Sequence, residues 1–188
     1  MTLWEVITSA REGYLGAYRQ ALREQRKKLP ALQVEALVAP AGAEHVPEQF
    51  RWFRADLLWQ QEGKPMVGAL DVGDAGVGGM CDTVYPDGQR VGVLFLRWDD
   101  CEFRCAPAVD VNAALVEWVG KWADRAQSNQ PDADGLHAAV HSATPPQRSS
   151  DGSFVRFAVD FGSAPPEAFT ALLSALFGCG VSSIQVGS

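Results

Sequence analysis

Residues 154–186 constrain the chain more than any other stretch, because strand, helix and strand follow one another there with little room for a different reading. Phe154-Val155-Arg156-Phe157-Ala158-Val159-Asp160-Phe161 is aromatic and β-branched, charged only at Arg156 and Asp160, and predicts a strand. Gly162-Ser163-Ala164-Pro165-Pro166 interrupts it and supplies a capping hydroxyl and a preset φ for a first helical turn. Phe169, Leu172, Leu173, Leu176 and Phe177 then form one apolar stripe at helical spacing, and Gly178 and Gly180 suit its end. Val181, Ile184 and Val186 lie in a closing strand. If the two strands run parallel in one sheet, the crossover is expected to be right-handed, with the helix on one face.

A chain of 188 residues, 47% of them hydrophobic, has enough material for one sizeable core and reads as a single domain over 1–188, with residues 1–30 as a helix packed as an arm. Thr2 and Glu5 have capping-box spacing, and apolar residues recur from Val6 to Ala21 at three- and four-residue steps. The basic residues Arg23, Arg26, Lys27 and Lys28 at its end suit the helix dipole. No basic and apolar leader opens the chain and no run is long enough for a membrane span, which predicts a cytoplasmic protein with no membrane contact. Cys81, Cys101, Cys105 and Cys179 are too scattered for a disulfide framework and are expected as reduced thiols.

The middle of the chain reads as strands: 32–38, then 53–60 with Phe53, Ala55, Leu57 and Trp59 on one face, then 66–72 as hairpin partner. Residues 73–79 are a glycine-rich loop that no helix follows, so a hairpin loop is favoured over a phosphate site. Residues 90–98, apolar on both faces, are expected as a central, covered strand. Asp110 is a candidate N-cap for a helix over Val111–Gln127, whose stripe includes Trp118 and Trp122. Residues 136–143 suit a short strand or helix, and 144–153 a mobile Pro/Ser/Gly loop. The fold expected is α+β: a mainly antiparallel sheet of about six or seven strands, a long N-terminal helix, a middle helix and a C-terminal βαβ unit.

Formal charge is −7, divided unevenly: six Arg/Lys against three Glu give residues 1–28 a net +3, leaving −10 on the remainder. That balance disfavours nucleic acid and favours a basic protein partner, a cationic ligand or a metal. Asp99, Asp100 and Glu102 cluster after the richest strand, and Asp71, Asp74 and Asp82 flank the glycine loop. His137 and His141 would chelate a metal from one helix face, whereas on a strand they stand roughly 13 Å apart. Cys101-Glu102-Phe103-Arg104-Cys105 sets an Arg beside thiols, the condition for a nucleophile if His45, His137 or His141 supplies a base. No GxSxG, HExxH, GxxxxGK[ST] or EF-hand pattern occurs.

These features lead to three expectations. The first is a non-catalytic binding protein, monomer or homodimer, without cofactor or metal, that occludes a basic toxin or enzyme as an immunity protein or inhibitor does. Asp71, Asp74, Asp99, Asp100 and Glu102 would give electrostatic reach, and Trp52 or Trp98 would be the buried anchor. The second is a cysteine-dependent enzyme assembled from distant residues. The third is a small-molecule-sensing regulatory domain with its ligand at the glycine loop.

Overall fold

The structure, a computed structural model, describes residues 1–187 apart from 30, 41, 74–76, 124–127 and 129. It is an α+β domain with helices α1 (Leu3–Lys28), α2 (Glu48–Arg51), α3 (Asn112–Trp122) and α4 (Pro166–Gly178). Its strands are β1 (Gln33–Val38), β2 (Phe53–Gln61), β3 (Lys64–Gly68), β4 (Val77–Val84), β5 (Arg90–Leu96), β6 (Cys101–Ala106), β7 (Ser142–Ala143), β8 (Gln147–Arg148), β9 (Val155–Asp160) and β10 (Ser183–Gly187). The capping box forms as its spacing predicts: Glu5 N–H donates to Thr2 Oγ1 at 3.2 Å and Thr2 N–H to Glu5 Oε2 at 2.7 Å. The stripe from Leu3 through Tyr14 and Tyr18 to Leu22 is buried in the common core, so α1 is part of the domain and not an arm.

The strands divide between two sheets rather than joining one. A three-stranded antiparallel sheet runs β1-β2-β3, and a seven-stranded sheet runs β4-β5-β10-β6-β9-β7, with β8 also on β9. The βαβ unit β9-α4-β10 is present, but β6 lies between its two strands, antiparallel to both, and the parallel neighbour of β10 is β5. Inward side chains of β5, β6, β9 and β10 meet α4 in an aromatic core. Phe103 and Phe157, directly opposite across β6 and β9, stack at 5.2 Å, and Trp98, Phe161 and Phe169 pack together at 4.6–6.3 Å.

Three expectations change. Strand β5 sits one place from the sheet edge instead of at its centre, and Leu94 on its outer face is 65% exposed. Asp110 does not cap α3; its Oδ1 accepts Asn112 N–H at 2.9 Å in a turn, and Val111 is the residue that precedes the helix. Residues 124–127, expected in that helix, lie outside the described residues. The segment 144–153 carries β8 and a turn in which Asp151 accepts from the hydroxyls of Ser149 and Ser153, so it is tied to the sheet. Among the described residues no helix is long and apolar enough to cross a membrane.

Candidate functional site: a buried histidine among three carboxylates

The least expected feature of the fold is ionic. Glu35, Arg54 and His141 are all at most 3% exposed, yet they come from β1, β2 and the loop before β7. Charged side chains are rarely buried unless they are paired, and these are. In β1 the ladder to β2 pairs Val34 with Leu57 and Ala36 with Ala55 but skips Glu35, which takes φ +50. That left-handed turn breaks the two-residue alternation, so Val34 and Glu35 are both buried although adjacent.

His141 stands at the centre. Its Nε2–H donates to Glu35 Oε1 at 2.8 Å, while Nδ1 lies 3.3 Å from Asp56 Oδ1 and 3.6 Å from Asp160 Oδ2, between two oxygens and well aligned with neither. Glu35 Oε2 accepts the backbone N–H of His137 at 2.5 Å, and Arg54 Nη1 donates to the Glu35 carbonyl at 2.7 Å. Tyr18, from α1, turns its ring edge to the imidazole at 6.2 Å and sets its buried hydroxyl beside Asp56, short of full hydrogen-bond geometry. Gly162 closes the cage with φ +50; a Cβ there would stand 2.0 Å from His141 Cδ2, so only glycine fits.

This geometry sets the protonation states. Burial alone would lower the His141 pKa, but Asp160, Asp56 and Glu35 outweigh it and hold the imidazole cationic well above the ordinary histidine range. Burial would likewise raise Glu35, yet the bonds from His141, His137 and Ser163 bring it below the usual carboxylate value. Asp160 moves up, because burial exceeds the help from His141 and the Gly162 N–H. Asp56 and Asp160 also line a cleft of about 310 Å³ walled by Phe53, Ala55, Val67 and Ala69. The buried cage therefore reaches the surface through two carboxylates.

The residues singled out in the sequence go elsewhere. Trp98 is 1% exposed, its indole N–H donating to Gly162 O at 3.0 Å, so it belongs to the core and is not a contact anchor. Trp52 is 38% exposed. Asp71 is exposed and accepts Gly73 N–H in a turn; Asp74 lies outside the described residues, as does part of the glycine loop. Asp99 is held by Arg97 at 3.0 Å, Asp100 is exposed beside it, and Glu102 pairs with Arg104 at 2.7 Å on the open face of the large sheet. His137 contributes its backbone to the cage, and the 137–141 segment is neither helix nor strand. Among the described residues no group of His, Cys, Asp and Glu is arranged to hold a metal ion.

The thiols are placed against nucleophilic chemistry. Cys101 and Cys105 are fully buried; burial pushes Cys105 up to about 12, and burial with Asp160, Asp99 and Asp100 drives Cys101 well above its ordinary value. Cys101 Sγ donates to Arg97 O at 2.6 Å. Both are protonated at neutral pH, the reverse of what a nucleophile needs. In native protein at pH 8 a disulfide reagent is expected to modify Cys179, the one half-exposed thiol, and to reach Cys81, Cys101 and Cys105 only on unfolding. Native reaction at Cys101 or Cys105 would contradict this placement.

Glu35, Asp56 and Asp160 are each a single acid in a different strand, so no local pattern in the sequence groups them. The available signal was a carboxylate within an apolar run, Val34-Glu35-Ala36 and Val159-Asp160-Phe161. Compared with protein-family models, with curated proteins and with solved structures, the chain matches none.

Proposed function

We propose that the chain is a non-catalytic cytoplasmic binding protein of the immunity-protein or inhibitor kind, which occludes a basic protein by taking one of its cationic groups into the cleft before Asp56 and Asp160. The observation that carries this reading is the pair of carboxylates at an apolar-walled cleft, backed by a charge cage that prevents their collapse. Asp99 and Asp100, in the turn between β5 and β6, add surface carboxylates that a basic partner would meet. A body of −10 outside the first helix attracts a basic partner. Catalysis is disfavoured because His141 faces carboxylates at both ring nitrogens and the thiols are buried and protonated.

The test is co-purification from the native host at low salt, followed by binding kinetics with whatever partner is recovered. Asp99→Lys with Asp100→Lys is expected to slow association about tenfold or more at low ionic strength, with the difference fading at high salt. Recovery of no stoichiometric partner, or of one whose association ignores both salt and the double replacement, would refute the reading.

A further inference from the structure

We infer that residues 33–68, which carry β1, α2, β2 and β3, form a lid that opens as one unit from the rest of the domain, with the Glu35–His141 ion pair as its catch. The inference does not depend on the partner. The segment is continuous in sequence, and among the described residues its strands ladder with one another and with no strand of the large sheet. The chain enters it from α1 through residues 29–32 and leaves through 69–73, where Gly73 takes φ +58 with nothing within 4 Å of an added Cβ. A contiguous segment with few buried apolar side chains has the properties of a unit that opens below global unfolding.

What fastens the lid is largely polar. Its buried strand residues are Val34, Glu35, Arg54, Ala55 and Leu57, two of them charged, and β3 buries none, leaving Met66 38% and Val67 48% exposed. Phe50 of α2 adds one more buried apolar side chain. The large sheet instead buries Phe103, Phe157, Val159, Ile184 and Val186. Bonds that cross from lid to body gather at one place: Arg54 N–H to His141 O at 2.8 Å, Arg54 Nε–H to Ala123 O at 3.1 Å, His137 N–H to Glu35 Oε2 at 2.5 Å and His141 Nε2–H to Glu35 Oε1 at 2.8 Å. Arg54 also holds the Glu35 carbonyl, so the two buried charges of the lid move together. Opening returns them and the imidazole to water at once and recovers their desolvation, so a catch made of charges releases at lower cost than an apolar seam of the same size. With so small an apolar face the detached sheet does not stand alone, and its ladder opens with it.

Native-state hydrogen exchange of the full chain in low urea, read amide by amide by NMR, tests this. The ladder amides of β1 and β2 are expected to share one level of protection, about tenfold or more below that of β5, β6 and β10. Ile184→Val is a conservative change in the large sheet, which stays packed when the lid is open. It should speed exchange in β5, β6 and β10 about fivefold and leave β1 and β2 unchanged. Glu35→Gln, which weakens the catch, should speed exchange in both sets by the same factor, because it destabilises the closed state from which both open. Glu35→Asp, which keeps the charge and shortens its reach, takes its place if Glu35→Gln does not fold. Equal protection of the two sets, or a shift of β1 and β2 together with the rest in Ile184→Val, overturns the lid. Unchanged exchange of β1 and β2 in the Glu35 variant overturns the ion pair as its catch.

Discussion

His141→Ala is expected to destabilise the fold by about 3–5 kcal/mol, the cost of leaving buried charges without their partner. That is a large part of the roughly 5–15 kcal/mol that holds a domain together. The imidazolium is what allows Glu35, Asp56 and Asp160 to approach one another, and methyl at that position leaves Glu35 with only the His137 N–H and Ser163. The same residue dictates a pH profile. Because the folded-state pKa of His141 lies above its unfolded value near 6.5, its contribution is complete below that value and is lost as pH rises through the folded one. Glu35 works in the other direction: its pKa is depressed, so its contribution is present above about 4.5 and lost as pH falls through the folded value. Asp160, shifted upward, subtracts from stability once it ionises. The groups facing the imidazole are Glu35 from β1, Asp56 from β2, Asp160 from β9 and Tyr18 from α1, with Arg54 bonded to the Glu35 carbonyl behind them. Urea unfolding from acid to alkaline pH is expected to show a plateau in wild type that declines on the alkaline side, and a shallower alkaline decline in His141→Ala. An unchanged midpoint and profile in the variant would mean that the histidine is neutral and its neighbours are not charged.

Gly162→Ala is expected to be the most damaging glycine-to-alanine change among the described residues. A Cβ at this position would sit 2.0 Å from His141 Cδ2 and 2.3 Å from Nε2, with no flexible chain end to yield. Adding it means moving the ring away from Glu35, with a loss of the order calculated for the histidine itself, about 3–5 kcal/mol. The left-handed φ of +50 contributes about 1–2 kcal/mol more for any residue with a side chain. Gly88→Ala is the control: its φ is +85, but nothing lies within 4 Å of the added carbon, so only the backbone cost of about 1–2 kcal/mol applies. Thermal unfolding of the two variants separates strain from collision. If they lose the same stability, the imidazole is not packed on residue 162.

Much of this architecture is written locally. The capping box and apolar steps of α1, the stripe of α4 and the alternation of β9 each lie within one segment, where period alone decides helix or strand. Other expectations failed where two readings shared one local pattern. Apolar residues on both faces of β5 suit a covered central strand, yet Leu94 faces solvent on the sheet face that also carries Glu102, Arg104 and Gln185. Trp98 looks like an anchor in sequence, and its position under Phe161 and Phe169 is set by a turn whose closure no neighbouring residue announces.

The amino-acid order by itself determined α1, α3 and α4, most of the strands, the negative body and the absence of standard catalytic motifs, because those properties depend on residues within a few positions of one another. Only the tertiary structure decided that β10 inserts between β5 and β6, that β1–β3 form their own sheet, and that residues 35, 56, 141 and 160 share one cage. Those contacts join positions up to 106 residues apart, and they depend on strand register and on one left-handed residue at Glu35. A shift of one position in either strand would turn the carboxylates to the opposite face.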